Sequence, residues 1–84
     1  MVAHGAGDEL CRAFGEAVRQ LRLRKDLSQE DLGFRSDLDR TYISGIERGV
    51  RNPTLRSMAT IAEALETRPS SLLLAAEKRT SKAS

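Results

Sequence analysis

Apolar residues recur along the chain at spacings of three and four. Leu10, Phe14, Ala17, Val18 and Leu21 form the first stripe, which predicts a helix opening near Asp8. Asp8 and Glu9 are expected in its first turn and Arg24 and Lys25 in its last, the arrangement a helix dipole favours. Cys11 lies beside Phe14 and Val18 on the helical wheel and reads as a small core-flanking hydrophobe. The residues before it, 1–7, are small, Gly-containing and aperiodic, and are expected to be disordered. A later stripe of Leu55, Met58, Ile61, Ala62 and Leu65 predicts another helix, capped by Thr54 and preceded by Pro53, which pushes Asn52 into an extended conformation. Thr67-Arg68-Pro69 ends that helix. Pro69 suits the first position of a further helix carrying Leu72, Leu73 and Leu74. The tail from Glu77 to Ser84 is polar and is expected to be flexible.

Between the two stripes lies SQEDLGFRSDLDRTYISGIERGVRN, residues 28–52. It carries one signature twice. Ser28 is an N-cap with Asp31 three residues on, and Leu27 and Leu32 stand at the two positions of a hydrophobic staple. Asp39 is a second cap, with Leu38 and Ile43 as its staple. Ser36-Asp37 supplies turn chemistry between them, and Gly49 follows Glu47-Arg48 as a C-terminal stop. Two brief helices joined by a tight turn, the second presented to solvent, make a helix-turn-helix over residues 28–49. The expected architecture is all-α, five helices without a sheet, in one domain spanning residues 8–76.

With 84 residues the chain can bury only about 60–70% of its unfolded surface, so its core is small and oligomerisation would help it. Three consecutive leucines cannot all face such a core. At least one of Leu72, Leu73 and Leu74 is therefore expected at a partner surface, the simplest being a second copy of the chain. The formal net charge of +2 says little, but between Arg40 and Arg56 four arginines stand against one acid, Glu47. That cluster coincides with the exposed helix and the loop after it. No apolar run approaches the ~20 residues that span a membrane, and no signal peptide is visible. One Cys and one His form neither an intramolecular disulfide nor a metal site of ordinary ligand count. No nucleophile–base set or carboxylate pair suggests an enzyme.

The succession SQEDL, RTYISGIERG, RNPTL, IAEAL resembles the Cro/lambda-repressor-like (XRE-type) helix-turn-helix family from Phe14 to Leu74. Within it, RTYISGIERGVRNPTL is most similar to the small controller proteins of bacterial restriction–modification operons. Two positions depart from the family pattern. Gly33 replaces the usual Ala and Asp37 the usual turn Gly, and both are expected to weaken the motif locally. The resemblance implies a compact five-helix DNA-binding domain and a homodimer on a palindromic operator. It also implies autoregulation and control of a linked restriction gene. Antitoxin-type and phage-type autorepressors remain alternatives, as does a helical protein-interaction module without DNA binding. The expected partners are double-stranded DNA and a second copy, with RNA polymerase a further candidate. No cofactor, metal, small-molecule ligand or membrane is expected, and the expected location is cytoplasmic.

On the wheel of the second motif helix, Ile43 and Ile46 define the buried side, and Thr41, Ser44, Gly45 and Arg48 point away from it. The N-terminal part of such a helix enters the major groove, which places Arg40 and Thr41 nearest the base edges. Arg40, Thr41, Ser44, Gly45 and Arg48 are thus the expected base-contacting set, Gly45 by letting the helix approach closely. Arg51 and Asn52, in the following loop, are expected at phosphates. Tyr42 flanks the buried side with its hydroxyl within reach of a phosphate. The resemblance further implies a phosphate contact for Gln29 and an ion pair between Arg22 and Glu47.

Overall fold

The computed structural model describes residues 4–81. These form five helices and, among the described residues, no strand. They are α1 (His4–Arg24), α2 (Gln29–Ser36), α3 (Arg40–Glu47), α4 (Leu55–Ala64) and α5 (Pro69–Ser81). α1 starts a turn before Asp8, so Asp8 and Glu9 fall outside its first turn. α5 runs past Ala76 to Ser81, where the Thr80 hydroxyl donates to the Glu77 carbonyl at 2.8 Å. Of the termini expected to lack structure, residues 1–3 and 82–84 lie outside the described residues.

The caps explain where the middle helices begin. Ser28 is extended, its hydroxyl accepts from the Asp31 N–H at 2.9 Å, and the Asp31 carboxylate accepts from the Ser28 N–H at 3.0 Å. That reciprocal box satisfies two N–H groups the helix leaves orphaned. It holds the Asp31 carboxyl below its ordinary pKa, chiefly through the Ser28 backbone bond. Asp39 caps α3 by accepting from the Thr41 N–H at 2.8 Å, and Thr54 caps α4 through the Ser57 N–H at 3.0 Å.

α2 ends on Asp37 in the left-handed region, φ 61° and ψ 38°. This turn folds the chain back so sharply that the Leu38 N–H reaches the Gly33 carbonyl at 2.9 Å. A Cβ on Gly33 would sit 2.7 Å from the Leu38 carbonyl oxygen. The expectation that Gly33 weakens the motif is therefore reversed. Glycine is what lets the turn close, and an alanine would have to push backbone aside.

α1 packs on α3 and α5, α2 on α3 and α4, and α4 on α5. Val18, Leu32, Ile43, Ile46, Ile61 and Leu65 are fully enclosed between them, with Phe14, Ala17, Ala62, Leu72 and Ala76 completing the core. Each enclosed Leu or Ile contributes about 1.5–3 kcal/mol. Two residues of the predicted stripes stand outside it: Leu55 is 80% exposed and Leu10 37%. Leu55 occupies the first position of α4, where its side chain leans back beyond the neighbouring helices. No helix of the described residues is long and apolar enough to cross a membrane.

Candidate nucleic-acid interface

α3 is fastened to the body at its C-terminal end. Arg22, on α1, donates through Nε to Glu47 Oε2 at 2.7 Å and through Nη2 to Oε1 at 2.9 Å, and its Nη1 bonds the Leu27 carbonyl at 2.8 Å. Both residues are buried. The hydrogen bond to Glu47 and the attraction of its charge raise the Arg22 pKa above its already high ordinary value, against desolvation. A buried pair of this geometry adds little net stability, but removal of one partner strands the other charge. Glu47 Oε1 also accepts from Gln29 Nε2 at 3.0 Å. One carboxylate thus ties together α1, the start of α2 and the end of α3.

At the other end of α3, Gln29, Arg40, Thr41 and Ser44 line one shallow cleft of about 160 Å³. Arg40 and Thr41 are exposed and Ser44 half-buried. The Asp39 cap fixes the backbone that carries the first two. Gln29 keeps a second N–H on Nε2 beyond the one given to Glu47, because a primary amide has two. Four side chains able to donate hydrogen bonds therefore converge on the open side of the α2–α3 pair. Arg48 is also exposed, at the C-terminal end of α3.

The middle of the outward face is not open. Gly45 is buried, and a Cβ there would overlap Arg51 Cγ and approach its Cβ to 3.3 Å. Arg51 folds back from the loop, its aliphatic stem crossing Gly45 and its guanidinium carbon 5.5 Å from the centre of the Tyr42 ring. The Gly45 carbonyl accepts from Val50 and Arg51 N–H at 3.0 and 3.2 Å, closing the loop against the helix. The Tyr42 hydroxyl pairs with Ser57 Oγ at 3.1 Å, and Ser57 Oγ with the Thr54 hydroxyl at 2.9 Å. Gly45, expected on an open outward face, is buried and seats the Arg51 stem. Tyr42 pairs its hydroxyl with the cap of α4 and offers its ring to Arg51. Asn52 is exposed and accepts from Cys11 Sγ at 3.8 Å, so half-buried Cys11 meets the loop as well as the core edge.

Of the leucine triplet, Leu72 is in the core at 2%, Leu73 is half-buried and Leu74 is 53% exposed. Leu72 is thereby removed from the expected partner surface, and Leu73 with Leu74 remains. Arg12, not singled out by its sequence context, is exposed on α1, and a Cβ on Gly49 would lie 2.5 Å from its Cγ and 2.9 Å from its Cα. No local motif marks it, since its neighbour Gly49 is far along the chain and beyond α3.

Comparison with known proteins gives concordant results. A family model described as helix-turn-helix matches residues 18–72. The control protein C.BamHI of Bacillus amyloliquefaciens is 54% identical over 61 residues, covering 71% of this chain and 75% of that protein. Among solved structures, the restriction–modification controller protein C.AhdI from Aeromonas hydrophila is 47% identical with a TM-score of 0.73, covering 74% of this chain and 94% of that one. A tetramer of the controller protein C.Esp1396I, solved in complex with its natural 35-base-pair operator, is 40% identical with a TM-score of 0.75, covering 82% and 91%.

Proposed function

Because this chain belongs to the helix-turn-helix family and is close to restriction–modification control proteins, we propose that it is a sequence-specific, DNA-binding transcription regulator of the controller type. It acts as a homodimer on a palindromic operator and regulates its own gene together with a linked restriction gene. The observation that carries this reading is the convergence of Gln29, Arg40, Thr41 and Ser44 on one cleft at the start of a helix whose other end is locked by Arg22 and Glu47. Arg40 and Thr41 read base edges, with Ser44 and Arg48 following along the groove. Gln29, Arg51 and Asn52 hold the phosphates that set the register. Leu73 and Leu74 on α5 supply the contact between two copies. The two recognition helices then face successive major grooves about 34 Å apart. The regulator works in the cytoplasm, has no catalytic role, and meets RNA polymerase at the promoter.

The test is a footprint on the DNA upstream of its own gene, paired with sedimentation of the free protein. Two protected half-sites related by a dyad, one helical turn apart, and a dimer weakened by Leu74→Glu are expected. Equal affinity for that DNA and for random duplex would reject sequence-specific regulation. A monomer at high micromolar concentration would reject the dimer.

A further inference from the structure

The second turn of α1 is held against the loop that follows the recognition helix, at two points. Cys11 Sγ meets Asn52 Oδ1 at 3.8 Å. One residue on, the stem of Arg12 crosses Gly49, so that any Cβ at position 49 would lie 2.5 Å from Arg12 Cγ, 2.9 Å from its Cα and 3.2 Å from its Cβ. Gly49 also has a φ of +78°. Position 49 therefore needs glycine both for its backbone and to admit the arginine.

The stem is placed by that contact, but the charge is not spent. Arg12 is exposed and forms no ion pair or hydrogen bond with the described residues. The acids close to it along α1 do not take it up: Glu16 is engaged by Gln20 at 2.8 Å and by Arg19 at 4.0 Å, and Asp8 and Glu9 stand beyond ion-pair distance. Along the chain Arg48 and Arg51 flank Gly49, so the Arg12 stem meets a basic segment whose one acid, Glu47, is buried on Arg22. An exposed arginine with an ordered stem and an unpaired head is suited to phosphate, because little side-chain freedom is left to lose on contact.

We propose that Arg12 is a DNA-phosphate contact, reaching from α1 to the strand that Arg51 and Asn52 also touch. The inference rests on the DNA-binding reading above and extends the interface to a helix outside the helix-turn-helix. It predicts sequence-independent, salt-sensitive affinity. Each phosphate contact contributes about 0.9 to the slope of log affinity against log salt, so a dimer losing one contact per half-site loses about 1.8.

The experiment measures affinity for operator and random duplex over a range of salt, for the parent, Arg12→Met, Arg12→Lys and Arg68→Met. Methionine keeps an apolar stem over Gly49 and removes the charge. Arg68 lies exposed between α4 and α5, and its replacement changes net charge by the same amount. In Arg12→Met the slope should fall by about 1.8 on both duplexes, and affinity near 0.1 M salt by about five- to ten-fold per half-site. Arg12→Lys should keep the parent slope, and so should Arg68→Met. An unchanged slope in Arg12→Met overturns the proposal. So does an equal fall in Arg68→Met, which would make the effect one of net charge, or failure of lysine to restore the slope. If the parent protein binds neither duplex, the DNA-binding reading fails instead, and the two failures are told apart by that arm.

Discussion

Gly45→Ala isolates the fold-back of Arg51. In an ordinary helix interior the substitution stabilises by about 1 kcal/mol through propensity. Here the new Cβ takes the place of the Arg51 stem, which must lift away. Losing the guanidinium from the Tyr42 ring removes about 0.5–1 kcal/mol, the value of such a contact at an exposed site, so the two effects nearly cancel. Thermal stability should stay within about 0.5 kcal/mol of the parent, roughly 2–4 °C for a domain of this size. DNA affinity should not stay. An Arg51 already laid along α3 has little freedom to lose at the operator, whereas a released one loses about 0.5–1.5 kcal/mol worth per half-site. Over two half-sites that is about 1–3 kcal/mol, or about five- to 150-fold. The competing explanation is that the alanine methyl itself strikes the DNA. A double-mutant cycle with Arg51→Ala separates them. If Gly45→Ala acts through Arg51, it should have almost no effect on affinity once Arg51 is gone. If it acts by collision with DNA, its full effect should persist. Unchanged affinity in Gly45→Ala alone, or a gain of the full propensity term in stability, would refute the seat.

The helix starts were legible because they are written in single side chains. Ser28, Asp39 and Thr54 each satisfy their own first turn, so local chemistry suffices and no distant contact has to be known. The outer ends of α1 and α5, two helices that pack on each other, lie beyond the bounds Asp8 and Ala76 that periodicity suggests, because a hydrophobic stripe marks which side of a helix is buried and not how far its polar turns continue. Gly33 was misread for a related reason. Its value depends on the Leu38 carbonyl, which comes near only after Asp37 turns left-handed. Leu55 shows the limit of periodicity, which assigns a side to a helix but not where its neighbours end. The helical wheel grouped Thr41, Ser44 and Gly45 as outward, but it cannot know that a loop arginine returns to cover one of them. The partner of Arg22 was reached through family resemblance alone, since 25 residues separate it from Glu47 and neither residue signals the other.

Three further outcomes follow from the same contacts. Arg22→Ala or Glu47→Ala alone should destabilise by about 3–5 kcal/mol by stranding a buried charge, and the double replacement by clearly less than the sum, measured by denaturant unfolding; coupling near zero would make the pair incidental. Asp31→Asn should lower the melting temperature at neutral pH. Because the folded pKa of Asp31 is depressed from 3.8, its stabilisation is complete above that value and is lost as pH falls through the lower folded one. The difference between parent and variant should therefore vanish in strong acid, and a difference that grows on acidification would contradict the cap. Arg40→Ala tests which arginine reads sequence. Arg40 stands at the cleft with Thr41, whereas Arg51 lies across the middle of the helix with its head on Tyr42. A bidentate contact to a base discriminates by about 1–3 kcal/mol, whereas a phosphate contact does not discriminate at all. Arg40→Ala should thus weaken operator binding by that amount per half-site and flatten the preference at one base pair, leaving random duplex little affected. Arg51→Ala should weaken both duplexes by similar factors and lower the salt slope by about 1.8 for the dimer. Titrating both variants on operator, point-substituted operator and random duplex decides the assignment. If Arg40→Ala loses affinity equally on all three, Arg40 lies along the backbone, and base reading passes to Thr41 and Arg48.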